Sequence, residues 1–266
     1  MTGSRAALAA WRTLVAAGLA SAIAAGCSTA TPAPTPAAEP LVVLASAEAY
    51  SSVLRLRLGF LVQAGQIADL QVRLVTSEGI QSAIGSGEAQ LAFVVGEPDP
   101  QGWAAPIASV PIRLVVNLAN PLAEIDEEDL RSIFAGNIND WQELGAPAGA
   151  VRMIAQEAQF VTARAFQRDT LGGGQIGGGA TVAPSGWAMA QAVGDDPGAI
   201  GYIMCNDLTP RIRALRIVGE GQPLSREASA RLFAIALHPP TGVALEMLLW
   251  AQSPSGQQTV LENCSP

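Results

Sequence analysis

The stretch PLAEIDEEDLRSIFAGNINDWQELG, residues 121–145, carries the signals for the start, the buried face and the end of one helix. Asp126 is a good N-cap, and the acids after it fill the first turn, where the helix dipole favours negative charge. Gly136 suits the left-handed position that ends a helix. One apolar face recurs at helical spacing through Leu130, Ile133 and Phe134. With Trp141 as a large apolar anchor, the stretch predicts a capped helix, a turn and a buried tryptophan.

Four other stretches accompany this one: SEGIQSAIGSGEAQLAFV, PGAIGYIMCNDL, QPLSREASARLFAIAL and LLWAQSPSGQQTVLENC. Together with the IF.G…W pattern of residues 121–145, they resemble, in order and over residues 41–264, the phosphate-binding-protein-like family of extracytoplasmic solute receptors. The receptors of this family feed ABC-type importers. The resemblance implies a two-lobed α/β fold of the type II periplasmic-binding kind, with a ligand cleft between the lobes.

The pattern of residues at the amino terminus indicates a secretion signal. Arg5 and Arg12 precede a short apolar run, and small residues at 24–26 stand directly before Cys27. This order resembles a bacterial lipobox, in which the cysteine is lipidated and becomes the first residue of the mature chain. We predict residues 1–26 as the signal peptide; the alternatives are an ordinary signal peptide with a chance cysteine and a short membrane anchor, for which the run is short.

The next segment and the overall charge narrow the class of protein. Residues 27–40 are rich in Pro, Ala and Thr and cannot bury a core, so we expect an extended tether. The formal net charge of −8 argues against non-specific nucleic-acid binding, which needs basic patches. It does not exclude a small-anion ligand, because backbone N–H groups act locally.

From residue 41 onward, strand and helix patterns alternate. Apolar runs predict strands at Leu41–Ala45, Gln71–Val75, Leu91–Val95, Pro111–Leu118, Val151–Ala155, Ala199–Met204, Arg213–Val218 and Leu232–Leu237. The first three are separated by helical patterns, which is typical of a parallel sheet. We therefore predict an α/β fold in which each lobe is a mostly parallel sheet flanked by helices.

The resemblance implies where the chain crosses between the lobes. Lobe 1 is expected to comprise residues 41–114 and 207–266, and lobe 2 residues 115–206. The two crossings would act as a hinge.

Signals for catalysis are scarce. His238 is the one histidine, and it lies in an HPP sequence at the end of a strand, where a structural role is the commoner one. The motifs CxxC, HExxH and GxSxG are absent. Carboxylates could still meet in space, but we predict no enzyme activity, no metal and no cofactor.

Two cysteines remain in the expected mature chain, Cys205 and Cys264. An even pair in an oxidising compartment suggests a disulfide. The alternative is two unpaired, buried thiols.

Three helix starts could hold a ligand. In parallel α/β sheets, ligands sit at the carboxyl ends of strands, where helix N-termini direct N–H groups outward. The candidates are Ser46 and Ala47, Ser77 and Glu78, and the helix start at residues 159–162. A plain N-cap would explain any one of them, whereas the resemblance places all three at the family's cleft.

One part of the chain departs from the family. The family's phosphate signature runs roughly R..GSGT...F, and alignment on Phe166 puts Gln156 at the arginine and residues 159–162, QFVT, at GSGT. Thr162 matches, but the bidentate guanidinium contact and the close approach that glycine permits are lost. Gln156, Phe160 and Thr162 thus become ligand candidates in a narrower and more apolar pocket. Phosphate itself is expected to bind weakly.

We therefore predict a monomeric, extracytoplasmic lipoprotein, anchored to the cell membrane through Cys27, that captures a small polar solute or oxyanion for an ABC-type permease. Arg152 or Arg164 could compensate for the missing arginine, although Arg164 should project from a different helix face than Thr162. The alternative is a scaffold or sensory lipoprotein whose degenerate cleft binds no solute.

The lipid anchor is directly testable. Cys27→Ser removes the thioether-forming sulfur, so we expect the variant to leave the membrane and the detergent phase for the aqueous phase. Ser28→Ala, a change in the same tether, serves as the control and should stay membrane-bound. A Cys27→Ser protein that still partitions with membranes would contradict the lipobox interpretation.

Overall fold

The computed structural model describes residues 40–64, 69–98, 102–147, 149–219, 222–223 and 228–264. The predicted signal peptide, Cys27 and nearly all of the predicted tether lie outside the described residues. The strands are β1 (Leu41–Ala45), β2 (Leu70–Leu74), β3 (Leu91–Val95), β4 (Trp103–Asn117), β5 (Glu124–Asp126), β6 (Arg152–Gln156), β7 (Thr181–Ala183), β8 (Ala199–Met204), β9 (Ile212–Ala214), β10 (Arg216–Gly219), β11 (Gln222–Pro223) and β12 (Ser229–Ala236). The helices are α1 (Tyr50–Gln63), α2 (Ser77–Ser86), α3 (Glu127–Ala135), α4 (Val161–Asp169), α5 (Gly186–Asp195), α6 (Gly242–Gln252) and α7 (Pro254–Val260), with 3₁₀ turns at Trp141–Leu144 and Cys205–Asp207.

Most strands belong to one mixed sheet, in the order β2-β1-β3-β12-β4-β8-β6-β7, with β9 also paired to β4, and β11, β10 and β5 form a second sheet. Strands β2, β1 and β3 are parallel to one another, and so are β8, β6 and β7. Between these two parallel trios, β12 and β4 run antiparallel to their neighbours. The predicted two-lobed α/β fold is confirmed, with one trio in each lobe and an antiparallel centre that the sequence did not reveal.

Strand β4 connects the lobes. Its first part, residues 103–111, pairs with β12, and its second part, residues 112–117, pairs with β8 and β9. Only this second part was predicted as a strand. Strands β9 and β10 pair with β4 and β5. The lobe limits at 114/115 and 206/207 stay predictions.

Helix α3 begins and ends as the sequence predicts. The Asp126 carboxylate accepts a hydrogen bond from the Glu128 N–H at 2.9 Å, which caps the first turn. Gly136 takes the left-handed conformation, with φ 85°, directly after the helix. Its buried face consists of Leu130, Ile133 and Phe134. The N-cap, the apolar spacing and the terminal glycine are therefore all confirmed.

An aromatic cluster lies beneath α4. The ring of Phe166 stacks on that of Tyr202 with centroids 4.0 Å apart, and Phe134 packs edge-on against Phe166 at 5.2 Å. The Tyr202 hydroxyl accepts a hydrogen bond from the Gln156 N–H at 3.1 Å. Burial raises the pKa of Tyr202 above its usual value. The IF.G and PGAIGY stretches thus meet in one core.

A disulfide joins Cys205 to Cys264, whose Cα atoms are 5.0 Å apart. It ties the 3₁₀ turn after β8 to the end of the described chain. Arg113 of β4 donates a hydrogen bond to the Cys264 carbonyl at 2.6 Å. In the described part of the chain, no helix is both long and apolar enough to cross a membrane.

Trp141 is the buried anchor that the sequence predicts. Its side chain is 3% exposed and belongs to the same core cluster as Ile133 and Phe134. The indole N–H donates to the Gly198 carbonyl at 3.0 Å, which joins the turn after α3 to the start of β8. Burial of the ring and a satisfied N–H together make this residue hard to replace.

Trp141→Ala should lower the free energy of unfolding by about 3–5 kcal/mol, because it deletes a large buried ring and leaves a cavity. Urea denaturation of the purified protein measures this. Trp187→Ala is the matched control: its side chain is 61% exposed, so its loss should change stability by less than about 0.5 kcal/mol. Equal effects of the two substitutions would refute the anchor role.

Candidate functional site

The carboxyl ends of strands from the two lobes face one another, and the loops that follow them make contact. Two contacts cross between the lobes: Glu48 with Val161 and Thr162, and Gly96 with Val161. Helix α4 of lobe 2 also packs against β12 of lobe 1. The edge at which α/β proteins of this kind bind ligands is therefore an interface between the lobes.

The start of α4 is satisfied by a carboxylate from the other lobe. Phe160 is the N-cap residue and makes no side-chain capping bond. Instead, Glu48 Oε1 accepts hydrogen bonds from the Thr162 N–H at 2.8 Å and the Thr162 hydroxyl at 2.7 Å. Glu48 Oε2 accepts a third from the Val161 N–H at 3.2 Å. This end of α4 can therefore bind a carboxylate, and it holds one of the protein's own.

A close backbone approach accompanies this contact. Gly96, directly after β3, has φ 94°. A Cβ at this position would lie 2.6 Å from Cγ2 of Val161. Both the backbone angle and the lack of space require glycine here. Gly96 of lobe 1 therefore packs closely against Val161, the first residue of α4.

A buried carboxylate, that of Asp207, lies shortly after the end of β8. Asp207 is 7% exposed, and its Oδ1 accepts a hydrogen bond from the Ser51 hydroxyl of α1 at 2.5 Å. A Cβ on Gly186, the first residue of α5, would meet Asp207 Oδ2 at 2.2 Å. Asp207 therefore sits against the first turns of helices from both lobes, where N-terminal dipoles favour a negative charge.

The environment of Asp207 shifts its titration. Burial raises the pKa of Asp207 from 3.8 to about 6, against the opposing effects of the Ser51 hydrogen bond and the Arg55 charge. Arg55 also donates to the Asn206 carbonyl at 3.2 Å and pairs with Glu262 at 3.5 Å. The cost of desolvating the charged carboxylate is therefore larger than the stabilisation that Ser51 and Arg55 provide.

The predicted ligand residues are distributed unevenly around this interface. Thr162 makes the contact between the lobes, next to the half-buried Phe160. Ser46 is buried at the end of β1, and its hydroxyl accepts from the Ala49 N–H at 3.4 Å; Ala47 beside it is exposed. Gln156, the last residue of β6, is 6% exposed, and its Oε1 has no hydrogen-bond partner among the described residues.

The third predicted helix start lies at the edge of the sheet. Ser77 and Glu78 are exposed at the beginning of α2, which follows the edge strand β2. The helix is capped by Thr76, whose hydroxyl accepts from the Gly79 N–H at 3.2 Å. A plain helix cap thus accounts for this segment, as the sequence analysis allowed.

The two arginines proposed to compensate make other contacts in the structure. Arg152, at the start of β6, pairs with Asp196 at 3.1 Å, at the end of the strand away from α4. Arg164 donates to the carbonyl of Gln159 at 2.7 Å. The guanidinium that the resemblance expects is therefore not replaced by either side chain.

Sequence reasoning missed Glu48. An acid between a strand and a helix is ordinarily read as a helix-start residue that helps its own helix. Its target is instead α4, 113 residues later. The signal available was indirect: a helix start without a capping side chain in lobe 2 and an acid in the facing ligand loop of lobe 1.

The described residues contain no group of three or more histidine, cysteine, aspartate or glutamate side chains placed to hold a metal ion. His238 is exposed beyond the end of β12. What the interface offers is hydrogen-bond donors at a helix start, which is chemistry for binding an anion or a polar solute.

Comparison with known proteins agrees with this fold. A family model described as PBP superfamily domain matches residues 30–227. The phosphate-binding protein PstS of Bacillus subtilis is 26% identical over 163 residues, which are 58% of this chain and 54% of that protein. The chain thus spans about half the length of this curated relative.

Solved structures share the fold. A Clostridium perfringens protein described as a phosphate ABC transporter substrate-binding protein, with bound phosphate, aligns with a TM-score of 0.65 and 16% identity, covering 84% of this chain and 97% of its own. The reduced OxyR regulatory domain of Pseudomonas aeruginosa aligns with a TM-score of 0.58 and 13% identity, covering 82% and 96%. At such identities the likeness concerns the fold alone.

The raised pKa of Asp207 predicts how stability depends on pH. The native state holds this proton more tightly than the unfolded chain, so the contribution of Asp207 to the free energy of unfolding should fall as the pH rises from about 4 to about 6. Relative to Asp207→Asn, which cannot titrate, the parent should lose about 3 kcal/mol across this range.

Urea denaturation at a series of pH values measures the difference. The control is Asp195→Asn, because the Asp195 side chain is 64% exposed and pairs at the surface with Arg211. The difference between parent and this control should stay nearly constant. A constant difference for Asp207→Asn as well would contradict the assignment.

Proposed function

The chain belongs to the PBP superfamily, and from this premise we propose that it is an extracytoplasmic receptor that captures a small polar solute or oxyanion for an ABC-type importer. The observation that carries the proposal is the start of α4. There, two backbone N–H groups and the Thr162 hydroxyl converge on a carboxylate at the interface between the lobes. Among the residues that the structure describes, Oε1 of Gln156, buried at the end of the strand that leads to α4, has no hydrogen-bond partner, which also supports a ligand site.

Phosphate fits this site poorly. A buried anion needs donors for all its oxygens, and an isolated buried charge is very costly without them. Gln156 stands where the family has an arginine, and Arg152 and Arg164 are engaged elsewhere. Val161 packs against Gly96 and narrows the space. We therefore propose a ligand that is less charged than phosphate or partly apolar.

The proposed function also includes a lipid anchor at Cys27 and a membrane permease as the partner. Lipidation of Cys27 would hold the protein at the outer face of the cell membrane as a monomer, and the tether of residues 27–40 would let the body reach a permease. The relationship to PstS and the shared fold support a transport role, without specifying the ligand.

A second function, as a scaffold or sensory lipoprotein, is favoured by one observation. The chain's own residues already occupy the interface. Glu48 accepts the hydrogen bonds of the donors at α4, and Gly96 packs against Val161. The fold also serves a regulatory role in the OxyR domain. In this function, a partner protein would bind the surface that the two joined lobes present.

Calorimetric titration of the purified protein with inorganic phosphate tests the first part of the proposal. We expect no dissociation constant as low as about 1 μM, which corresponds to about −8 kcal/mol, because the site lacks a guanidinium. Thermal unfolding in the presence of a panel of small polar solutes should identify at least one that stabilises the parent.

The variant Thr162→Val should abolish that stabilisation, because it removes the hydroxyl donor at α4. Thr259→Val is the control: it removes a hydroxyl that only donates to the Ser255 carbonyl within α7, so the gain should remain. Tight phosphate binding would refute the ligand assignment. A panel without any stabilising solute would favour the scaffold or sensor.

A further inference from the structure

We propose that Glu48 is an internal ligand of the cleft, and that the solute captured there is a small carboxylate that takes the place of the Glu48 side chain. The substrate class rests on the proposed receptor function; the internal ligand rests on geometry alone. Both oxygens of the Glu48 carboxylate are engaged, one by two donors and the other by one.

The carboxylate is committed to α4 and not to its own helix. Glu48 lies two residues before α1, and Ala49, the N-cap of α1, has no side-chain capping bond. A glutamate here could stabilise the first turn of α1 through the dipole. Instead it reaches lobe 2, where its bonds are charge-assisted and at normal lengths between 2.7 and 3.2 Å.

The donor set matches a carboxylate better than phosphate. Two adjacent peptide N–H groups and one hydroxyl serve the two oxygens of a planar, singly charged group. A phosphate presents four oxygens and more charge, so part of it would remain unpaired at this site. The geometry thus selects the same chemical group that Glu48 already supplies.

Exchange of one carboxylate for another conserves charge at the site. Glu48 is only half-buried, so its side chain can turn to solvent while the incoming carboxylate takes its hydrogen bonds. No buried charge is left without a partner in either state. The tethered group nevertheless competes at a high effective concentration, which lowers the apparent affinity for a free carboxylate. Glu48 is therefore a determinant of both specificity and affinity.

Chemical rescue tests the inference. Glu48→Ala removes one methylene and the carboxylate, and acetate supplies an equivalent group. In this variant, hydrogen exchange at the Val161 and Thr162 amides should accelerate roughly tenfold or more, because bonds to a charged acceptor are lost. Acetate at tens of millimolar should slow exchange again toward the parent rate, whereas phosphate at equal ionic strength should do so much less.

Two further variants control the experiment. Glu246→Ala removes an exposed carboxylate from α6, and its exchange rates at α4 should equal those of the parent with and without acetate. Glu48→Gln keeps the side-chain size without the charge, and should also accelerate exchange. It provides the same readout if Glu48→Ala does not fold.

The outcomes separate the inference from the function on which it rests. Unchanged amide exchange in both Glu48 variants, or no effect of acetate on Glu48→Ala, would overturn the internal ligand. Equal protection by phosphate would overturn the carboxylate selectivity and reveal a phosphate site masked by Glu48. Failure of the receptor function would show instead as a parent that no solute stabilises, while acetate still protects α4 in Glu48→Ala.

Discussion

The N–H groups at the start of α4 need hydrogen-bond acceptors, and the contact between the two lobes depends on how the chain supplies them. A helix leaves its first N–H groups without partners inside the helix, and the N-cap residue here, Phe160, has no side-chain acceptor. The structure meets this need with Glu48 from the other lobe. Because donor and acceptor belong to different lobes, one set of hydrogen bonds both caps the helix and joins the lobes.

A second carboxylate, that of Asp207, also lies close to helix starts. Asp207 lies between the first turns of α1 and α5, and its burial is unfavourable enough to raise its pKa to about 6. The central strand β4 and its partner β12 hold the two lobes in one continuous sheet behind both contacts. At the start of α4, the chain thus places one of its own carboxylates where helix N–H groups favour an anion.

Local signals in the sequence predicted much of the fold, and long-range ones did not. The cap at Asp126, the end at Gly136 and the burial of Trp141 follow from neighbours a few residues away, so they were predictable. The first half of β4 was missed because prolines interrupt its pattern, and the pairing of residues 212–219 with β4 and β5 depends on distant strands. The family pattern singled out Thr162, which makes the contact between the lobes, whereas finding its partner Glu48 required knowing which loop faces α4.

The two candidate functions differ in one physical respect, which is whether a solute can compete with Glu48 for the donors of α4. In a receptor of this architecture, closure of the lobes ordinarily reports that solute is bound. Here the chain supplies the closing charge itself, so closure alone does not distinguish the empty protein from the loaded one. A permease that recognised only the closed form would engage the empty receptor. A transport role therefore requires that the permease detect the bound solute or the displaced Glu48 side chain, whereas a scaffold requires neither.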